Sequence, residues 1–169
     1  MKLGATPLFV GPDSRTLPRM NAIMNEQILV VDDDAAVRKI LCRVLADEGY
    51  RVREATRGAE ALEITAAGEI DLMLLDLKLP EKNGWEIFER LTKDHPLLPV
   101  IIVTGRSNQL FPALASGVGA LVEKPIDFPA LLQTVSRLLG ESPETRRVRL
   151  AGQTAQFIYN SPRKQGSPA

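Results

Sequence analysis

Cysteine and histidine are almost absent from the 169-residue chain, which contains one of each, Cys42 and His95. A single cysteine excludes a disulfide within the chain and fits a reducing compartment, so we expect a cytoplasmic protein. We interpret Cys42 as a packing residue on a helix. His95 precedes Pro96 and is interpreted as a loop residue, so the chain offers no phosphohistidine of its own.

Long apolar runs are also missing. No stretch is long enough to cross a bilayer. The start of the chain shows neither a sustained apolar segment nor a cleavage site typical of a signal peptide. We therefore expect no membrane partner. Hydrophobic residues make up 44% of the chain, which is enough for the core of one domain of common size.

The formal net charge of zero conceals two oppositely charged segments. Residues 27–141 contain 13 Lys and Arg against 18 Asp and Glu, a charge of −5, whereas residues 142–169 contain 5 against 1, a charge of +4. The polar, Pro- and Gly-containing tail is predicted to be disordered. Its few basic residues are a weak signal for nucleic acid, which we do not expect as a partner.

The two flanks of the predicted domain leave alternatives open. Residues 1–26 are predicted to form a flexible extension, and Met1, Met20 and Met24 remain alternative starts. In the tail, the apolar cluster Phe157 to Tyr159 is the one part able to dock on a core. Without such docking, removal of residues 142–169 is expected to change stability little.

Four apolar runs each end in polar residues able to handle a metal ion or a phosphoryl group. Such runs fit strands buried on both faces of a parallel sheet, where ligands bind beyond the carboxyl ends. The runs are ILVV before Asp32, Asp33 and Asp34, LMLL before Asp76, VIIV before Thr104, and ALV before Glu123, Lys124 and Pro125.

The segments between these runs have helical periodicity. Alternation of strands and helices predicts a doubly wound α/β fold with a five-stranded parallel sheet. The strand at Tyr50 to Glu54 alternates Val52 with arginines, which places it at an edge. The predicted helices cover 35–48, 57–67, 85–94, 110–116 and 128–139.

The acidic residues at the predicted sheet edge require compensation. Asp32, Asp33 and Asp76 would lie within a few ångströms, and two charges 4 Å apart repel by about 4 kcal/mol at an effective dielectric of 20. Hard oxygen ligands with room for water favour Mg²⁺. Lys124 supplies a second positive charge, so one carboxylate can act as a nucleophile towards a phosphoryl group, assisted by the Thr104 hydroxyl.

The four motifs ILVVDDD, DLMLLDLKLPEKNG, VIIVTG and LVEKP resemble, in order and spacing, the receiver domain of bacterial two-component response regulators. The resemblance covers about residues 27–140 and implies a flavodoxin-like fold with strand order 2-1-3-4-5. It also implies a phosphoryl acceptor that binds Mg²⁺, catalyses only its own phosphorylation and dephosphorylation, and is otherwise no enzyme.

The resemblance assigns a role to each residue of the predicted site. Asp76 matches the phosphoacceptor and a metal ligand. Asp32 and Asp33 match the acidic metal-binding pair, with Asp33 the direct ligand. The remaining matches are the backbone carbonyl of Lys78 as a metal ligand, the switch hydroxyl of Thr104, the site lysine Lys124, a cis bond before Pro125, and the loop residues Pro80 and Gly84.

Three residues depart from the family pattern or have simpler explanations. Leu121 replaces the usual aromatic at the second switch position, so we expect switching to reshape residues 104–110 and a short fourth helix more than the fifth strand. Asp34 is interpreted as a helix N-cap rather than a metal ligand. Trp85 is interpreted as a packing residue at a helix start.

The resemblance implies a histidine kinase or histidine phosphotransfer protein as phosphoryl donor and a downstream protein as target. We expect a stand-alone receiver within a two-component phosphorelay. Two alternatives remain open. A DNA-binding regulator would use the basic tail, and a magnesium-dependent phosphohydrolase would share the aspartyl-phosphate intermediate.

Overall fold

The computed structural model describes residues 25–80, 83–151 and 157–162. In these ranges a parallel sheet of six strands has the order β2-β1-β3-β4-β5-β6. The strands are β1 (Gln27–Val31), β2 (Arg51–Ala55), β3 (Leu72–Leu75), β4 (Val100–Thr104), β5 (Ala120–Glu123) and β6 (Ile158–Asn160). No helix in the described ranges has the length and apolar content to span a membrane.

The described ranges contain six helices, five of which cover the two faces of the sheet, while the sixth follows α5. Buried residues of α2, α3 and α4 pack on one face of the sheet, and those of α1 and α5 pack on the other. The helices are α1 (Ala35–Asp47), α2 (Gly58–Ala66), α3 (Gly84–Asp94), α4 (Leu110–Ser116), α5 (Phe128–Leu139) and α6 (Pro143–Leu150).

The apolar runs form the central strands because every side chain in them is shielded from water. All five residues of β1 and all four of β3 are buried. Strand β2 has exposed charged residues and lies at an edge of the sheet, as the alternation of Val52 with arginines predicts. The parallel α/β fold is therefore confirmed, with the order of the first five strands.

The prediction of five strands is wrong, because the sheet has a sixth. Strand β6 pairs in parallel with β5 and places Ile158 beside Ala120 and Tyr159 beside Leu121. Helix α6 precedes it. The described parts of residues 142–169 are thus ordered, contrary to the predicted disorder. The predicted extension at residues 1–26 lies outside the described residues, apart from Asn25 and Glu26.

Candidate functional site

Two aspartates meet at the sheet edge because β1 and β3 are neighbours in the sheet. The Asp76 amide donates to the Val31 carbonyl at 2.9 Å, and the Asp32 amide donates to the Ala55 carbonyl at 3.2 Å. Both aspartates are nearly buried, with 1% of Asp32 and 4% of Asp76 exposed. These backbone bonds fix the two carboxylates at the carboxyl ends of their strands.

Lys124 bridges the two buried carboxylates from the end of β5. Its Nζ lies 2.8 Å from Oδ2 of Asp32 and 2.8 Å from Oδ2 of Asp76. Its amide donates to the Thr104 carbonyl at 2.9 Å, and the bond to Pro125 is cis. The side chain is only 22% exposed. The ammonium is therefore held between two acids rather than being free in solvent.

Burial and pairing act in opposite directions on this trio. Burial raises the pKa of Asp32 despite the opposing hydrogen bond from Lys124. For Lys124, burial alone would lower the pKa, but the hydrogen bonds to Asp32 and Asp76 outweigh burial and raise it. Lys124 is therefore charged at neutral pH, while ionised Asp32 is costly. One lysine does not fully compensate the acids.

The three acids also fulfil the geometric requirement of a cation site. One carboxylate oxygen each from Asp32, Asp33 and Asp76 lie within 4.8 Å of one another. Asp33 is exposed, so one side of the group is open to water. An all-oxygen donor set with solvent access fits Mg²⁺, which keeps several of its waters when bound. The residues present therefore fit a hard divalent cation.

Asp34 lies beside the acids but has a different role. Its carboxylate accepts from the amides of Ala36 and Val37 at 2.8 and 3.2 Å, which caps α1. The hydrogen bonds from Val37 and then Ala36 lower the pKa of Asp34. The structure thus places Asp34 as the N-cap of α1, as the sequence predicted.

Backbone contacts hold the described residues on both sides of the loop after Asp76. The Lys78 amide donates to Oδ1 of Asp76 at 2.9 Å, and Lys78 and Asn83 form an isolated antiparallel bridge. A Cβ on Gly84 would lie 2.6 Å from both the backbone carbonyl oxygen of Asp76 and the Cα of Leu77. Only glycine fits there without displacing the backbone that holds Asp76.

Thr104 and Leu121 are both fully buried. The Thr104 hydroxyl accepts from the Arg106 amide at 3.1 Å. Leu121 lies in β5 in register with Ile102 of β4, inside the core between the sheet and α2, α3 and α4. The hydroxyl therefore belongs to the sheet edge, while Leu121 is a core residue.

Sequence reasoning missed three polar residues around the site. Arg38 donates to the Asp32 carbonyl at 2.8 Å and pairs with Glu54 at 3.0 Å. Gln109 accepts from the Trp85 indole at 2.9 Å, which joins the start of α3 to the loop before α4. Arg106 lines the cleft. Its position two residues after Thr104 is the one signal that the sequence offers.

These elements surround an open cleft of about 480 Å³ above the sheet edge. The cleft can admit a phosphoryl group and a hydrated cation together. Its lining is entirely polar apart from one glycine and consists of Asp33, Asp34, Asp76, Lys78, Gly105, Arg106 and Lys124.

A parallel α/β domain with acids and a lysine at one sheet edge defines a class of signalling domain, and comparison with known proteins identifies it. The chain belongs to the response regulator receiver domain family, whose model matches residues 28–136. Among solved structures, a CheY-like receiver domain from Methanospirillum hungatei is 33% identical. It aligns with a TM-score of 0.65 over 68% of this chain and 93% of that one.

Curated relatives are longer regulators. The DNA-binding transcriptional regulator NtrC of Escherichia coli is 33% identical over 143 residues, which cover 82% of this chain but 30% of NtrC. Response regulator MprA of Mycobacterium ulcerans is 36% identical over 118 residues, covering 69% of this chain and 51% of MprA. The chain therefore matches 30% of NtrC and 51% of MprA.

Proposed function

We propose that this protein accepts a phosphoryl group on Asp76 in a two-component phosphorelay, within the cytoplasm. The observation that carries the proposal is the placement of Asp76. It is nearly buried, its Oδ2 lies 2.8 Å from Lys124 Nζ, and it shares an oxygen cluster with Asp32 and Asp33. With Lys124 on one side and a cation in the oxygen cluster on the other, this carboxylate can attack phosphorus without prohibitive repulsion.

The metal in this proposal is Mg²⁺. Asp32, Asp33 and Asp76 would hold it with their carboxylates, and Lys78 with its backbone carbonyl. Bound there, the ion would neutralise charge on the phosphoryl oxygens. A solved structure of the relative TrrA from Thermotoga maritima, 31% identical with a TM-score of 0.63, was obtained in complex with Mg²⁺ and BeF. That relative covers 67% of this chain and supports the same chemistry here.

The transfer step uses the residues of the sheet edge. A carboxylate oxygen of Asp76 forms a bond to phosphorus while the bond from phosphorus to the donor's imidazole nitrogen breaks. The electron pair stays on that nitrogen, and the product is an acyl phosphate. Lys124 exchanges its contact with Asp76 for a phosphoryl oxygen, and the Thr104 hydroxyl donates to another.

The donor in this proposal is a histidine kinase or histidine phosphotransfer protein, and the product signals through altered contacts with a downstream protein. Incubation with a small acyl phosphate and Mg²⁺ tests the acceptor directly. Intact mass should show one added phosphoryl group that is stable in acid and labile in base. Asp76→Asn should accept none, and labelling of that variant at the wild-type rate would refute the assignment.

Metal binding has its own test. Asp33→Asn removes an exposed ligand without disturbing the buried pair, so it should weaken Mg²⁺ binding and slow labelling. Asp47→Asn, which changes an exposed acid on the last turn of α1, is the matched control and should do neither. Equal Mg²⁺ affinity in both variants would remove Asp33 from the ligand set.

A DNA-binding role is the second candidate, because NtrC is named as a DNA-binding regulator. The described tail argues against a direct role for its arginines. Arg146 donates to the carbonyls of Leu97 and Leu138, and Arg149 pairs with Glu141. Salt-dependent DNA binding that disappears in an Arg147→Ala, Arg163→Ala, Lys164→Ala triple variant would favour this role.

A magnesium-dependent phosphohydrolase is the third candidate. Such enzymes need a second acid–base carboxylate close after the nucleophile, and here Lys78 occupies that place with its amide bonded to Asp76. Sustained release of phosphate from small phosphate esters, beyond the turnover of the protein's own acyl phosphate, would support it.

A further inference from the structure

The C-terminal part of the chain docks on the domain through two elements of different strength. Helix α6 is anchored by charged groups. Arg149 is 6% exposed, donates to the Gly117 carbonyl at 2.8 Å and pairs with Glu141 at 2.9 Å. Arg146 donates to backbone carbonyls at the C-terminal end of α5 and in the loop before β4. Loss of α6 would leave these buried polar groups without partners.

Strand β6 is held far less firmly. It has three residues, none of them fully buried, and Tyr159 is 41% exposed. The Ile158 amide reaches the Gly119 carbonyl at 3.4 Å, and the Asn160 amide group donates to the Thr134 hydroxyl at 3.0 Å. The apolar side chains of this segment pack against the core but are only partly buried. A short strand without fully buried side chains opens at low free energy.

A row of side chains connects this strand with the phosphoryl site. Thr104 of β4 is in register with Glu123 of β5, and Tyr159 of β6 is in register with Leu121. Side chains alternate along a strand, and Leu121 and Ile102 belong to the core under α2, α3 and α4. Thr104, Glu123 and Tyr159 therefore project from that same face of the sheet.

The Glu123 carboxylate also affects the pKa of the Tyr159 hydroxyl. Slight burial, followed by the interaction with the Glu123 carboxylate, raises the pKa of Tyr159. Glu123 directly precedes Lys124, whose amide is bonded to the Thr104 carbonyl. A displacement of Lys124 therefore reaches Glu123 through one peptide unit, and a displacement of Thr104 reaches it through the hydrogen bond to Lys124.

We propose that β6 is a tethered strand that leaves the β5 edge when Asp76 is phosphorylated, with the side chains of Glu123 and Tyr159, neighbours on one face of the sheet, as the release point. The inference rests on the proposed function. In that state the Thr104 hydroxyl and the Lys124 ammonium bind phosphoryl oxygens, so Glu123, which is in register with Thr104 and adjacent to Lys124, shifts and its side chain separates from Tyr159. Helix α6 stays docked, which keeps β6 at high effective concentration and makes its return fast after dephosphorylation.

Amide hydrogen exchange on the full chain tests the release. The protein is loaded with a small acyl phosphate and Mg²⁺, and intact mass measures the phosphoryl group on Asp76. Exchange at residues 158–160 should accelerate by about 5- to 150-fold, the usual range of coupling between sites. Exchange in α6 should stay unchanged.

Each outcome decides between the two proposals. Loading of Asp76 with unchanged or slower exchange in β6 overturns the tethered strand and leaves the phosphoacceptor intact. Faster exchange in both β6 and α6 means that the whole segment leaves, which also contradicts the tether. Failure to load Asp76 overturns both proposals.

Reciprocity provides a second test that needs no phosphotransfer. If a phosphoryl group on Asp76 favours the detached form of β6, then a substitution that detaches β6 must strengthen binding of a phosphoryl mimic by the same factor. Tyr159→Ala should therefore bind beryllium fluoride with Mg²⁺ more tightly than the wild type, and Tyr159→Phe, which keeps the ring, should lie between them. Val148→Ala, an exposed apolar change on α6, is the control and should match the wild type. Equal affinity in all four proteins would overturn the proposal.

Discussion

Asp32 accepts a hydrogen bond from Lys124 at 2.8 Å, yet its pKa is raised rather than lowered. Burial of Asp32 is the largest cause, and it outweighs the hydrogen bond and the attraction of the ammonium. The ion pair with Lys124 therefore does not offset the cost of burying the Asp32 carboxylate. Without a cation at this sheet edge, ionisation of the buried Asp32 carboxylate costs folding free energy.

Asp32→Asn should therefore stabilise the protein at neutral pH without Mg²⁺. A raised pKa means that the folded state binds the proton more tightly than the unfolded chain, whose ordinary value is 3.8. The protonated group contributes its full stability below pH 3.8, the ordinary pKa. This contribution is lost as the pH rises through the pKa of the folded state. Urea unfolding across pH should show the advantage of the variant growing over that window. A constant difference would contradict the explanation.

Lys124→Met should destabilise the protein without Mg²⁺, because both buried acids lose their cation. We expect a loss of about 1–3 kcal/mol, below the 3–5 kcal/mol typical of fully buried pairs, because the site opens to the cleft. Saturating Mg²⁺ should restore more stability to the variant than to the wild type. Lys39→Met, at an exposed position on α1, is the control. Urea unfolding with and without the metal measures all three proteins.

Gly84→Ala should damage the site through the backbone. The added methyl group would meet the Asp76 oxygen and the Leu77 Cα, neither of which can rotate away. We expect a loss of about 1–3 kcal/mol and slower phosphorylation. Gly140→Ala is the matched control, since its φ is −78° and its nearest contact is 3.4 Å. Equal effects of the two substitutions on unfolding and labelling would refute the steric argument.

Arg149→Met should be much more costly than Arg147→Met. Arg149 and Glu141 have side chains 6% and 7% exposed, so removal of one leaves a buried charge, at a cost of about 3–5 kcal/mol. Arg147 pairs with Glu144 where both side chains are more than half exposed, and its loss should cost about 0.5 kcal/mol or less. Thermal or urea unfolding of the two variants compares the pairs directly.

The central strands and most helices follow from sequence because their signals are local. Helix α4 covers the predicted residues 110–116, and α5 begins after Asp127, whose side chain caps it. The apolar stripe of α5 contains Leu131, Val135 and Leu138, which are all buried. In such segments, apolar periodicity and capping residues point to the same boundaries.

Helix α6 and strand β6 escaped prediction because long-range contacts decide them. In the sequence alone, Arg149 is indistinguishable from a solvated surface arginine. Its buried position depends on the hydrogen bonds to the Gly117 carbonyl and the Glu141 carboxylate. One local signal was available. Ser142 caps α6, Pro143 occupies its first turn, and arginines lie in its last turn, the usual order at helix ends. For β6, three residues are too few for any periodicity to show.

The edge strand β2 and strand β5, which β6 covers, differ in their protection against association with another chain. Strand β2 exposes the charged residues Arg51, Arg53 and Glu54, which discourage pairing with another chain. Strand β5 has no such charged residues at the positions that pair with β6, since Ala120, Leu121 and Val122 are apolar. Strand β6 therefore covers β5 against pairing with another chain. When β6 opens, the unpaired backbone groups of β5 become available for such pairing.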